Sequence, residues 1–569
     1  MGSGQTVRAR DAKQAERERL VAEMEDQLGL ASEHPEDEQY ISASATEIVA
    51  SLKGRKAGWT VERVMVAFIR AACDAQRKTN CLTEILFQDA LERARTMDKD
   101  FKATGRAEGP FWGLPSSFKD TYNVLSVDSS VGCSIYCDRP TIEADEEAGL
   151  VKLYRKAGGI PFCKTNIPQT LLAFECRNPI FGATSNPYSA SRVPGGSSGG
   201  EAALITLKGT PLGWGSDIGG SLRIPAAYSG CCGLKPVRGR WPVSGQRRTV
   251  KGFEGIKGNV GPMARTVDDL ILQSRTMINM AAQKDGVSFG GEPLIHAPWR
   301  EYDAPKKLRI GWYTDDKAIR TSPACARAVE ESVALLRNAG HEVVEFHPPP
   351  ASQGLKIFAA LTSADGYRQL LGNTGPDPME PAMELVVLGS RLPRFVHWIA
   401  TKVIKHLLQD SLFADCFAQS RPKSVHELWY WTEQRDLYAN AFRQQAWETD
   451  NFDAIICPVQ AVPALEHGRT KFLSPLCVQT VVYNVVDSTV GVLPVTRVDR
   501  SRDAIAPDFL QESPGSWILE KRVYGGTDPA YDADRMHGLP VGVQVVGPAW
   551  EEERVLGVMR LLESLVGYK

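Results

Sequence analysis

The chain has 569 residues, with 66 Lys and Arg against 68 Asp and Glu and a formal net charge of -2. Hydrophobic residues make up 43% and charged residues 24%, an ordinary globular composition that excludes disorder, collagen and coiled coil for the bulk of the chain. The balanced charge gives no electrostatic ground for a nucleic-acid partner, and none is expected.

Residues 8–28 mix dense charge with Leu and Val and predict an exposed N-terminal helix. No apolar core of a secretory signal precedes it. Met1-Gly2-Ser3-Gly4-Gln5-Thr6 fits the loose N-myristoylation pattern, against which a plain flexible start is preferred. Residues 43–56 and 60–76 also read as helices, with Thr60 as N-cap of the second. Residues 1–75 therefore form a helical segment, and 76–569 are read as one domain.

From about 110 to 265 the composition shifts to short apolar runs separated by Gly, Ser and Pro. Residues 195–233 hold 11 Gly in 39 positions, which predicts tight, ordered backbone turns. In Leu114-Pro115-Ser116-Ser117-Phe118-Lys119-Asp120, a strand would put Ser117 and Lys119 on one face and Phe118 on the other. A lysine between apolar segments is a candidate for burial, and burial lowers its pKa toward a neutral amine that can act as base. In Gly195-Gly196-Ser197-Ser198-Gly199-Gly200-Glu201, Ser198 and Glu201 have capping-box spacing. Capping leaves Ser197 and the four glycines unexplained. Ser216-Asp217-Ile218-Gly219-Gly220-Ser221-Leu222-Arg223-Ile224-Pro225 follows a strand-like stretch, and its glycines let successive N–H groups converge on an anion or developing oxyanion. It is neither a Walker A loop nor a GxSxG elbow.

The second half alternates strand-like pieces at 308–313, 342–346 and 454–459 with helix-like pieces at 323–339 and 426–449, which favours an α/β fold with a mixed sheet. A strand within 536–549 rejoins that sheet, and a closing helix spans 551–565. Residues 394–410 (RFVHWIATKVIKHLLQD) have apolar residues at helical spacing opposite Arg394, His397, Lys402, Lys405 and His406. This pattern fits a membrane-surface helix, but an ordinary packed helix is the preferred reading.

Twelve dispersed cysteines are too few for a disulfide scaffold, and the lone Cys133/Cys137 pair does not make a zinc site. They read as free thiols in a cytoplasmic protein, and no apolar run is long enough to span a membrane. None of the nine histidines lies between 35 and 295, so nothing nominates a Ser-His-Asp triad; a serine activated by lysine is more economical.

These motifs together resemble the amidase signature family, most nearly fungal acetamidase-type amidases and more distantly fatty acid amide hydrolases. The likeness continues through TNCLTEI (79–85), KTNIPQT (164–170), GLKPVRGR (233–240), GPMARTVDDL (261–270) and LPVGVQVVG (539–547), and covers about two-thirds of the chain. It implies a single large α/β/α sandwich around a twisted mixed sheet, with a signature core at about 110–270 and substrate-shaping insertions at about 350–490. It also implies a triad of nucleophile Ser221, cis-peptide serine Ser197 and Lys119, and an oxyanion hole of the Ile218, Gly219, Gly220 and Ser221 N–H groups. Behind these stand Ser198 and an Asp217–Arg223 ion pair. The expected substrate is a small-molecule amide, with no cofactor or metal, and family members often form homodimers. The same residues would serve an esterase or a biosynthetic acyl-transfer enzyme, or the amidase subunit of an amidotransferase; a degenerate scaffold is the alternative outside catalysis.

Overall fold

The computed structural model describes residues 4–283, 292, 294–511 and 513–568; of the acylation pattern, Met1, Gly2 and Ser3 lie outside them. The strands are β1 (Leu82–Ile85), β2 (Pro115–Lys119), β3 (Ile160–Thr165), β4 (Arg177–Asn178), β5 (Gly182–Ala183), β6 (Leu212–Asp217), β7 (Cys232–Lys235), β8 (Asn259–Ala264), β9 (Arg309–Trp312), β10 (Glu342–Glu345), β11 (Ala454–Pro458), β12 (Thr489–Arg497) and β13 (Pro540–Gly547). Eleven of them form one mixed sheet in the order β1-β3-β2-β6-β8-β7-β12-β13-β11-β9-β10, while β4 and β5 make a separate ribbon.

β13, from the far end of the chain, pairs antiparallel with both β12 and β11 and so lies inside the sheet. Every residue of its PVGVQVVG run is buried, the pattern of a strand covered on both faces. A Cβ on Gly542 would meet Ala227 in the Arg223–Ser229 helix, whereas one on Gly547 would meet Val555 in the Glu552–Val566 helix. Residues an odd number apart face opposite sides of a strand, so these helices cover opposite faces and the architecture is the expected α/β sandwich.

Local chemistry sets the ends of individual helices. Thr60 caps the Val61–Thr79 helix by accepting from the Arg63 N–H at 3.1 Å, and Asn80, at φ 55°, stops it. The closing helix starts on Glu552 and Glu553, whose carboxylates clamp the buried guanidinium of Arg240 at 2.5 and 2.7 Å.

Two expectations change. The N-terminal helix, Gly4–Leu28, is not simply exposed: Lys13, Arg17, Val21 and Met24 form a buried stripe. Lys13 pairs with Glu84 at 3.1 Å and Asp128 at 2.9 Å. Burial works against its charge, but these two carboxylates hold the amine above the ordinary lysine value. At the other end, the preferred packed helix at 394–410 is not what forms. Arg394–Lys402 is a helix continuing into a wider turn over Val403–Leu407, and Phe395, Trp398 and Leu407 are 67%, 61% and 75% exposed. Of the Arg394–Lys402 helix only His397 is buried, stacked on Phe417. Among the described residues no helix is long and apolar enough to cross a membrane.

Replacing Arg240 with Met should leave Glu552 and Glu553 charged, buried and without their guanidinium. The expected cost is about 3–5 kcal/mol of stability, read as a lowered denaturation midpoint; an unchanged midpoint would show that the clamp contributes nothing.

Candidate active site

Parallel pairing of β2 with β6, with Ser117 opposite Gly213 and Phe118 opposite Trp214, brings the carboxyl ends of both strands to one place. Lys119 ends β2 and Asp217 ends β6. The period of two expected for β2 holds: Phe118 stacks at 6.3 Å on Trp214, away from the lysine. The third contributor is the turn into the Gly199–Thr206 helix. There the Gly196–Ser197 peptide is cis, and Gly195, at φ 84°, leaves no room for a Cβ, which would lie 2.7 Å from Pro225 Cα. The glycines are therefore steric necessities, as their density predicts.

Lys119 is wholly buried, and its Nζ has three oxygen neighbours: Ser197 Oγ at 2.7 Å, Ser216 Oγ at 3.0 Å and the Ser216 carbonyl at 3.4 Å. No carboxylate touches it. Burial pushes the amine down to about 7, and the Asp217 charge only partly opposes this. Ser221 is tied to the same turn because the Ser198 N–H donates to its carbonyl at 3.1 Å. Ser197 and Ser221 border one cavity.

The Ile218–Leu222 loop is held from behind. Asp217 accepts from the Gly220 N–H at 2.8 Å and the Leu222 N–H at 3.0 Å, and forms a two-pronged pair with Arg223 at 3.0 and 3.1 Å. Burial alone would raise the Asp217 carboxyl, but Arg223 and Asn484 hold it well below the usual carboxylate range. The expected ion pair is thus present, and the Gly220 N–H is engaged in it rather than pointing into the cavity. Ile218, Gly219 and Ser221 do border the cavity.

The capping-box expectation fails. Ser198 is the N-cap residue but makes no side-chain cap bond. Glu201 turns inward, where it accepts from Ser117 Oγ at 2.6 Å and Thr165 Oγ1 at 2.8 Å, and burial raises its carboxyl to about 8. Ser198 Oγ instead sits 3.5 Å from the Ser216 carbonyl. Sequence reasoning missed Ser216 as a partner of Lys119, although alternation along β6 offered a signal. It also missed Thr480, whose Oγ1 donates to the Gly219 carbonyl at 2.7 Å, and Asn484; these lie more than 250 residues away, with no local signature.

Two arms meet at Ser221, Ile218 and Phe358. One, of about 160 Å³, is apolar, lined by Phe174, Ile224, Leu355, Phe413 and Phe417. The other, also about 160 Å³, carries Ser197, Ser216, Asn259, Arg238, Arg247 and Arg248.

The amidase family profile matches residues 63–556. The chain is 33% identical to fatty acid amide hydrolase 1 of Caenorhabditis elegans over 517 residues, covering 88% of this chain and 84% of that one. It is 31% identical to an acetamidase of Aspergillus oryzae over 568 residues, covering 96% and 94%. The solved structure of a fatty acid amide hydrolase superposes with a TM-score of 0.84 at 24% identity, covering 100% of this chain and 95% of that one.

Asp217→Asn should keep the shape of the loop anchor and remove the charge that Arg223 needs in a buried setting. A loss of about 3–5 kcal/mol in denaturant unfolding is expected; wild-type stability would mean that the pair is not what anchors the loop.

Proposed function

This chain belongs to the amidase family and hydrolyses the C–N bond of an amide, and we propose that it does so through a relay of Lys119, Ser197 and Ser221. The observation that carries this reading is the contact of 2.7 Å between the buried Lys119 amine and Ser197 Oγ. A neutral amine has two N–H donors and one lone pair. The two donors match the Ser216 hydroxyl and carbonyl, which leaves the lone pair for the Ser197 hydroxyl proton.

Ser197 then draws the proton from Ser221, whose oxygen attacks the amide carbonyl. The negative oxygen of the tetrahedral intermediate is met by the N–H groups of Ile218, Gly219 and Ser221, while the Gly220 N–H stays with Asp217 and fixes the turn. The proton returns through Ser197 to the leaving nitrogen as the C–N bond breaks. Water, activated by the same relay, cleaves the acyl-enzyme. The apolar arm suits a hydrocarbon acyl group, in keeping with relatives named for fatty amides. We also read the chain as cytoplasmic: all twelve cysteines are free, ten of them buried, as a reducing compartment permits.

Three measurements test this. A fluorophosphonate should label Ser221, and Ser221→Ala and Lys119→Ala should each lower kcat on oleamide by ~10⁴ or more with an unchanged circular dichroism spectrum; near-normal turnover in either removes the relay. Ser197→Ala should lose most activity. The rate should also follow the Lys119 amine. Protonation removes its lone pair, so kcat/KM should fall about tenfold per pH unit below about 7 and level off above it. A flat profile between pH 5 and 7 would assign the base elsewhere.

A further inference from the structure

The second arm is unlike the first in charge. Arg238, Arg247 and Arg248 all line it, together with Gln246 and Asn259. Its single carboxylate, Asp217, is consumed by Arg223, Asn484 and two backbone N–H groups. The acids nearest Arg248 are also engaged: Glu254 pairs with Arg238 at 3.4 Å, and Glu292 accepts from the Val243 and Ser244 N–H groups at 2.8 and 2.9 Å.

Two of the three guanidiniums lack a carboxylate partner among the described residues. Arg247 lies over the Tyr136 ring at 4.5 Å, which holds it without neutralising it. Arg248 lies at the solvent-exposed rim of the arm with one long bond to the Val243 carbonyl at 3.4 Å, and partial desolvation together with the Arg238 charge pushes its guanidinium below the ordinary value. Three guanidiniums at the half-open rim of one arm give it a positive field, and a planar guanidinium is the group best shaped for a carboxylate.

The chemistry also fixes which half of a substrate enters this arm. The leaving nitrogen must face the hydroxyl that protonates it. Ser197 borders the arginine arm and not the apolar one. Resting on the Ser197 relay, the amine half therefore lies among the arginines and the acyl half along the phenylalanines. We propose that the arginine arm is a subsite for an amine bearing an acid group, and that the substrates are N-acyl amino acids with a hydrocarbon acyl chain. The acyl C–N bond breaks, water supplies the oxygen of the released carboxylate, and the nitrogen leaves as the free amino acid, so the reaction needs no other reactant.

The test compares three conjugates that share one acyl chain: N-oleoylglycine, which is anionic, N-oleoylethanolamine, which is neutral, and N-oleoyl-ethylenediamine, which is cationic. Oleate release is measured at low and high salt. The expected order of kcat/KM is glycine, ethanolamine, ethylenediamine, with at least tenfold between the first two at low salt and a smaller gap in 0.5 M salt. In Arg247→Gln/Arg248→Gln the glycine-to-ethanolamine ratio should fall to about one, mainly through a raised KM for the glycine conjugate. Equal or faster cleavage of the ethanolamine conjugate by the unmodified protein, or a ratio unmoved in the double variant, overturns the subsite. Ser221→Ala separates the two readings. Turnover that persists in it with the same charge ranking would remove the relay and leave the subsite, whereas turnover lost in it, together with a ranking blind to charge in the unmodified protein, would remove the subsite and leave the relay.

Discussion

An ammonium group in a dry interior needs a counter-ion, and Lys119 has none in contact. It is wholly buried at the end of β2, with only hydroxyl and carbonyl oxygens around it. Such surroundings favour the uncharged amine, and much of the architecture serves to maintain them. The aromatic layer of Phe118, Tyr154 and Trp214 closes the opposite face of the strand. Glu201, which bonds Ser117 on the lysine's own face, is occupied by two hydroxyls and itself raised by burial, which weakens its pull on the amine.

The opposite solution is used a few ångströms away. Asp217 and Arg223 are equally buried but fully ionic, and every remaining hydrogen-bonding direction of the pair is filled by the backbone, Asn484, Gln544 and the Thr480 carbonyl. A buried pair of this kind is weak evidence for stability, but it gives the loop one shape. The protein thus places an amine drawn toward its uncharged form and an ionic strut at the ends of two adjacent strands.

Much of this was legible in the chain. Alternation in β2 placed Ser117 and Lys119 on one face, and the glycine density of 195–233 announced turns too tight for side chains, because both are local rules of backbone geometry. The partners of the strut were not, since Thr480, Asn484 and Gln544 arrive through sheet order. Glu201 shows how a local rule is overridden: the spacing of a capping box was present, but β2 and β3 offered its carboxyl two buried hydroxyls. Residues 394–410 likewise had the period of a helix, and the helix forms, yet periodicity alone carries no information about whether a neighbour exists to receive the apolar face.

The ion pairs of the first helix extend beyond Glu84 and Asp128. Lys164, wholly buried, bonds the Asp128 carbonyl and Ser129 Oγ and pairs at 3.2 Å with Asp120, the residue that follows Lys119. Two ion pairs, Lys13 with Asp128 and Lys164 with Asp120, are thus joined through the main-chain carbonyl of Asp128, and the second ends beside Lys119. The opening segment lies ahead of residues 63–556, which the family profile matches, but its buried lysine ties it to the rest of the fold. To clip it off is to strand Glu84 and Asp128 in the interior without Lys13, inside a charge cluster whose other end is the Lys164–Asp120 pair, next in sequence to Lys119.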